Sequence, residues 1–234
     1  MNAQMFFFVT VILSTHQTPG KSFYETRANH DPNGIGKFYL GREIAHVMTH
    51  EGAGWLDRRE REKEENPKKL VEALKFEAGE TVVDLGAGSG YYTFLIAPKV
   101  SKVIAVDIQP EMLAIMEKKI KKGMVNNVEL VLGTEQDPKL KPATVDTILL
   151  VDVYHEFAFP REMTEKMIRA LKPGGRIVFV EFRLEDPDVP IKLVHKMSEK
   201  QVIREMAEFQ ELKPEPTMSV LPWQHVIVVR KKRS

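Results

Sequence analysis

The run VVDLGAGSGYY, residues 82–92, constrains this chain more than any other stretch. A β-type segment, Thr81–Leu85, runs straight into glycines at 86, 88 and 90, and a helix-type segment starts just beyond them. Glycine at such a turn permits backbone conformations closed to other residues and lets the main chain approach a ligand closely. In open α/β sheets, that place beyond the carboxyl ends of the strands is where ligands bind. The spacing reads G-x-G-x-G, whereas a dinucleotide fingerprint wants its third glycine one position later, where Tyr91 stands. A bulky ring there suits a ligand without a pyrophosphate. The plainer alternative is an ordinary glycine-rich strand-to-helix turn.

The rest of the chain supplies a frame for that turn. From residue 67 on, β-type runs (TVVDLG, KVIAVDI, VELVLG, VDTILLVDV, RIVFVEF, HVIVVRK) alternate with helical segments of about a dozen residues. Such alternation predicts a doubly wound α/β domain with helices on both faces of a mostly parallel sheet. Before it, residues 14–36 read as coil. Residues 42–50 read as a helix ended by Gly52 and Gly54, and the charge run DRREREKEENP as a solvated helix. The expected division is residues 1–20 as leader or disordered segment, 21–66 as an N-terminal helical lid, and 67–234 as the main domain.

Composition excludes several chemistries. With 34 basic and 33 acidic residues there is no global charge to draw in nucleic acid or a membrane surface, and the absence of cysteine removes disulfides, thiolate metal sites and cysteine nucleophiles. No apolar run approaches the roughly 20 residues of a membrane span. MFFFVTVIL, residues 5–13, has the length of a secretory apolar region, without a basic segment before it or a small-residue cleavage site after it. Export is the favoured expectation, and a sticky terminus or short strand of a cytoplasmic chain is the alternative.

Asp107 follows Gly86 by 21 residues at the end of the second β-run. An acid at that distance and place can accept hydrogen bonds from ribose hydroxyls. It can equally be a helix cap.

Taken in order, VVDLGAGSGYYT, VIAVDIQPEML, VDTILLVDVYHEF and LKPGGRIVFVEF resemble the successive motifs of class I S-adenosylmethionine-dependent methyltransferases, over roughly residues 67–230. VDVYHEF and LPWQH resemble a group of small members without a secure substrate, which often begin with an apolar leader. The resemblance implies a Rossmann-like sheet of seven strands with S-adenosylmethionine as cofactor and S-adenosylhomocysteine as product. It implies that Asp84 orders the glycine loop and reaches towards the methionine end, and that Gly86, Gly88 and Gly90 bring the backbone to the cofactor. Asp107 would bind the ribose, Ile108 pack on the adenine, and Glu135 face its amino group. Asp152 would sit beside the methionine moiety or the substrate, and Lys172–Gly175 would form a structural turn.

A methyl acceptor that carries a proton needs a base, and histidine is the commonest one. His155, with Glu156 or Asp152 orienting it, is the catalytic expectation; the alternative is that His155 caps a helix or positions the cofactor. His46 and His50 share a face of the expected helix, and with His225 they offer a possible metal set. The preferred reading assigns no metal and puts His46 and His50 on the lid with Tyr39, Arg42 and Trp55, closing over the acceptor. The favoured acceptor is a small molecule offering oxygen, sulfur or carbon. Alternatives are methylation of a protein or nucleic acid, a non-catalytic relative of the fold, and a nicotinamide oxidoreductase, which Tyr91 argues against. Oligomeric state is not readable.

Overall fold

The computed structural model describes residues 23–233. The candidate leader lies outside the described residues. The chain opens with a small antiparallel sheet of β1 (Tyr24–Thr26), β2 (Gly34–Tyr39) and β3 (Arg42–Ala45). Two short helices follow, α1 (Ala53–Leu56) and α2 (Arg61–Glu64), and then α3 (Pro67–Leu74). The main domain continues with β4 (Thr81–Leu85), α4 (Tyr91–Ile96), β5 (Lys102–Asp107), α5 (Pro110–Gly123) and β6 (Val128–Leu132). It ends with β7 (Val145–Val151), α6 (Pro160–Ala170), β8 (Leu171–Phe182), α7 (Glu199–Met206), β9 (Leu212–Pro214) and β10 (Gln224–Lys231).

The large sheet has seven strands in the order β6-β5-β4-β7-β8-β10-β9. The first five are parallel to one another; β10 runs antiparallel to β8, and β9 antiparallel to β10. The chain winds outward from β4 through β5 to β6, then returns to pair β7 on the other side of β4. The switch point therefore lies between β4 and β7, at the end of the glycine run.

Strand alternation accounts for burial on both faces. Val83, Leu85, Ile148 and Phe179 pack with Met167 of α6 and Met206 of α7, whereas Val82, Leu149 and Val178 pack with Leu70 of α3 and Ile96 of α4. Each such side chain, fully buried, contributes roughly 1.5–3 kcal/mol. Lys172–Gly175 bulges out of β8: Val145 pairs with Leu171 and Thr147 with Arg176, so four residues lie opposite Asp146 alone.

Two N-terminal expectations are corrected. The helix over 42–50 is absent, since Arg42–Ala45 is strand β3 and Pro-free coil leads on to a single 3-10 turn at His50–Gly52. β2 and β3 form a hairpin across Leu40 and Gly41, with φ of 46° and 93°. Two successive positive φ angles are those of a two-residue turn matched to strand twist. The extension is thus a hairpin sheet followed by short helices. The charge run is not a solvated helix either. Arg61 and Glu65 are buried, and Glu65 takes Arg61 Nε at 2.8 Å on one oxygen and Arg58 Nη2 at 2.8 Å on the other.

A second buried ion pair docks the small sheet onto the domain. Arg42 Nε donates to Glu205 Oε1 at 2.6 Å, and its Nη1 donates to the carbonyl of His155 at 3.2 Å. Glu205 is fully buried and also accepts from Tyr154 Oη at 2.7 Å. Removing one partner of a buried pair strands the other charge, at a cost of about 3–5 kcal/mol. Arg42→Ala should lower the unfolding free energy by about that amount, and adding Glu205→Gln should restore part of it. Urea titration of the two variants measures this, and a loss below about 1 kcal/mol for Arg42→Ala would contradict the docking role.

Candidate functional site

The glycine loop is shaped by β5. The backbone N–H groups of Gly86 and Ala87 both donate to the carbonyl of Val106, at 2.8 and 3.0 Å. Gly86, Gly88 and Gly90 have φ of 75°, 54° and 82°, in the left-handed region that favours glycine. A methyl group on Gly86 would lie 2.3 Å from Val153 Cγ2, and one on Gly88 would lie 2.6 Å from Leu56 Cδ1. The loop is therefore closed to side chains both by conformation and by space.

Asp84 lies beneath the loop, fully enclosed. Its Oδ2 accepts from Thr93 Oγ1 at 2.6 Å, which ties β4 to α4 across the glycines. Burial pushes its pKa up to about 6. Asp84 and Gly90 do not reach the cavity described next, so both act on the loop from behind.

A cavity of about 520 Å³ opens at the carboxyl edge of the sheet, over the switch point. Gly86, Gly88, Asp107, Ile108, Glu135 and Asp152 all line it, as do His155, Glu156 and Trp55. Asp107 is buried, and its two oxygens accept from the N–H groups of Gly88 at 2.8 Å and Gln109 at 2.9 Å. It caps the local turn, and each oxygen keeps a lone pair for a ligand. Burial raises its pKa despite those donors.

Asp152 sits just past β7 at φ 49°, a sparsely populated conformation that concentrates at functional sites. Its Oδ2 accepts from Gln224 Nε2 at 2.6 Å, while buried Oδ1 has no partner. Burial and the nearby carboxylates of Glu65 and Glu181 push its pKa well up, against the pull of Arg61.

His155 lies in a 3-10 turn, Tyr154–Glu156. Its Nδ1 meets Glu181 Oε2 at 2.6 Å, and its Nε2 lies 3.2 Å from His195 Nδ1. Burial lowers the pKa of His155, but the charge of Glu181 and its hydrogen bond outweigh that and leave it raised. His195 is pulled down to about 4 by burial, with His155 and Lys192 adding repulsion. Burial pushes Glu156 up to about 7. Because His195 stands at Nε2, base action by His155 would pass through a neighbour that the sequence did not single out.

The roof of the cavity is the segment after β3. Met48 N–H donates to Glu156 Oε1 at 3.2 Å; Gln109 accepts from His50 N–H at 2.8 Å and donates to the Met48 carbonyl at 2.9 Å. Further on, Asp57 accepts from Ser89 Oγ at 2.8 Å and from Lys119 Nζ at 2.6 Å. Val47, Met48, Trp55 and Leu56 face inward. Of the residues expected on a lid, Trp55 lines the cavity and the others do not. His46 and His50 are exposed, Tyr39 and Arg42 are packed into the domain, His225 is buried on β10, and none of the five lines the cavity. Tyr91 does not line it either; its hydroxyl donates to Glu62 Oε1 at 3.1 Å, so its ring is not what excludes a pyrophosphate. Arg61, Gln109 and His195 do line it and had no readable signal, since each gains its role from partners distant in sequence.

The tie through Gln109 is testable. Gln109→Ala removes two hydrogen bonds at a solvent-exposed edge, each worth about 0.5–1.5 kcal/mol. Amide exchange at His50 should quicken by about tenfold or more while global stability stays within about 2 kcal/mol of the parent. Unchanged protection at His50 would show that the roof is held elsewhere.

Known proteins match this architecture. A family model described as a methyltransferase domain matches residues 76–226. A methyltransferase-like protein of Schizosaccharomyces pombe, described as uncharacterized, is 36% identical over 110 residues, covering 47% of this chain and 40% of its own. A demethylmenaquinone methyltransferase of Clavibacter sepedonicus is 31% identical over 114 residues, covering 49% of this chain and 45% of its own. The chain thus spans less than half the length of these relatives. Among solved structures, an S-adenosylmethionine-dependent methyltransferase of Aquifex aeolicus superposes with a TM-score of 0.73 at 24% identity, covering 79% of this chain and all of that one (100%).

Proposed function

The chain belongs to the methyltransferase-domain family, and from that premise we propose that it transfers a methyl group from S-adenosylmethionine to a small-molecule acceptor held in the same cavity. The observation that carries the reading is the convergence of the glycine loop, Asp107 and Asp152 on one roofed cavity of about 520 Å³. Ligand cavities for small molecules span about 300–1,000 Å³. A roof tied down at Gln109 and Asp57 favours a small acceptor over a protein or nucleic acid.

The residues present fit the cofactor. The loop at Gly86 and Gly88 is a cradle that a side chain would fill, and Asp152 Oδ1 is a buried acceptor lacking a donor, as an ammonium group would supply. On this reading Asp107 takes the ribose hydroxyls, Ile108 packs on the adenine, Glu135 faces its amino group, and Asp152 holds the amino-acid end. Arg61 and Glu65 fix the charge balance beneath Asp152. When bound, S-adenosylmethionine supplies a methyl group already activated on a sulfonium. What remains for the chain is to align an acceptor and keep water out. Val47, Met48, Trp55 and Leu56 would exclude water from above, and His155, Glu156 and His195 would form the polar end that addresses the acceptor.

Calorimetry with S-adenosylmethionine and with NAD tests the cofactor, and release of S-adenosylhomocysteine in the presence of a panel of phenols, thiols and carboxylates tests the acceptor. Binding of S-adenosylmethionine alone, with turnover on a panel member, is expected. Preference for NAD, or turnover only on protein or RNA, would overturn the corresponding half. Asp107→Ala should weaken S-adenosylmethionine binding by about ten- to a hundredfold, from charge-assisted hydrogen bonds of roughly 1.5–3 kcal/mol. Parental affinity in a folded variant would remove Asp107 from the cofactor site. Export, read from residues 5–13, is a separate proposal that N-terminal sequencing of the protein from its native cell would test.

A further inference from the structure

We propose that His155, Glu156 and His195 bind a divalent transition-metal ion at the polar end of the cavity. The site is argued from its own geometry; only its use by an acceptor rests on the methyl-transfer reading.

Among the described residues, these three form the group of histidine and acidic side chains whose ligand atoms converge. His155 Nε2 and His195 Nδ1 are 3.2 Å apart. Glu156 Oε1 lies 3.9 Å from each of them. Points equidistant from the three atoms lie on a line whose nearest point, in their plane, is about 2.1 Å from each, so a small approach of the side chains would bring an ion above the plane to the roughly 2.0–2.2 Å of zinc bonds to imidazole nitrogen and carboxylate oxygen. The three donors thus stand close to the spacing that a coordinated ion requires. His155 and Glu156 are neighbours in one 3-10 turn, Tyr154–Glu156, and His195 joins them from a second, Leu193–His195, so its approach is not a consequence of sequence neighbourhood.

The surroundings are those of a supported ligand set. A metal-bound histidine typically passes its other ring nitrogen to a carboxylate, which fixes the tautomer and the ring orientation. His155 Nδ1 does this with fully buried Glu181 at 2.6 Å. Glu156 is held in turn by the N–H of Met48 at 3.2 Å.

Two imidazoles and one carboxylate, in a chain without cysteine, suit Zn²⁺ or Fe²⁺. All three residues line the cavity, so an ion held by them would be within reach of a ligand bound there. The ion would favour an acceptor that offers an oxygen, whose proton it would make easier to lose. On this account His155 is a metal ligand and not a free base. The site differs from the set suggested by histidine spacing, since His46 and His50 are exposed and His225 is buried on β10.

The test uses the full chain after chelator treatment. Zn²⁺ is titrated by calorimetry, and Co²⁺ by its visible absorption. One ion per chain with micromolar or tighter affinity is expected. His195→Gln and Glu156→Gln should each weaken it at least tenfold, and Glu181→Gln by about 10–100-fold through His155. His46→Ala with His50→Ala should leave it unchanged. Thermal unfolding of each variant separates lost ligation from lost fold. Failure of the wild-type chain to bind either ion below about 100 μM, or binding that survives His195→Gln, would overturn the proposal and leave a hydrogen-bonded histidine pair. Titration of S-adenosylmethionine into the chelated protein keeps the two readings apart. Cofactor binding without ion binding sinks only the metal site, and ion binding without cofactor binding sinks only the methyl-transfer reading.

Discussion

Glu181 holds the polar end of the cavity together. Its buried carboxylate, on β8, accepts from the backbone N–H of Tyr154 at 3.0 Å and meets His155 Nδ1 at 2.6 Å. Those two contacts fold the chain after β7 into a 3-10 turn instead of letting it run on. The turn then presents the carbonyls of Tyr154 and His155 to Arg42, which docks the N-terminal sheet. It also presents Glu156 to Met48, which brings the roof down over the cavity. A buried carboxylate with two strong donors is stable where a half-satisfied one would be costly. The turn, the setting of His155 and the roof's tie at Met48 thus trace back to one side chain.

The acids around the sheet edge divide by environment into distinct roles. Asp84 points away from the cavity and ties β4 to α4. Asp107 faces the cavity and shapes the glycine loop from the next strand. Asp152 keeps one oxygen without a donor. Three aspartates at neighbouring strand ends thereby serve as brace, rim and unfilled acceptor. The histidine pair stands at the same sheet edge, where His155 and His195 line the cavity.

The α/β frame was legible because it depends on local pattern. Strand-type runs, helices of about a dozen residues and a glycine turn are written within short windows, and most elements begin and end where the pattern changes. Of the residues that face the cavity, Gly86, Gly88 and Asp107 were marked by local pattern, at the glycine turn and at a strand end, whereas Ile108, Glu135 and Asp152 were named only through the resemblance to a known family. The N-terminal hairpin was not legible. REIAHVMTH spaces Ile44, Ala45, Val47 and Met48 as a helix would, and only pairing with β2 across Leu40–Gly41 overrides that. The overlooked signal was a glycine turn between two short β-type runs. Arg61 was hidden in a charge run whose interior is a buried ion pair. His195 has no local signature, because its partner stands 40 residues earlier in the chain.

A crystal structure of the chain with S-adenosylhomocysteine tests the central claim most directly, that one roofed cavity serves cofactor and acceptor together. The account predicts the adenine against Ile108, the ribose at Asp107, the amino-acid end at Asp152, and the sulfur facing the His155, Glu156 and His195 end beneath a closed roof. A ligand lying outside this cavity, or one with its sulfur turned away from those three residues, would contradict it.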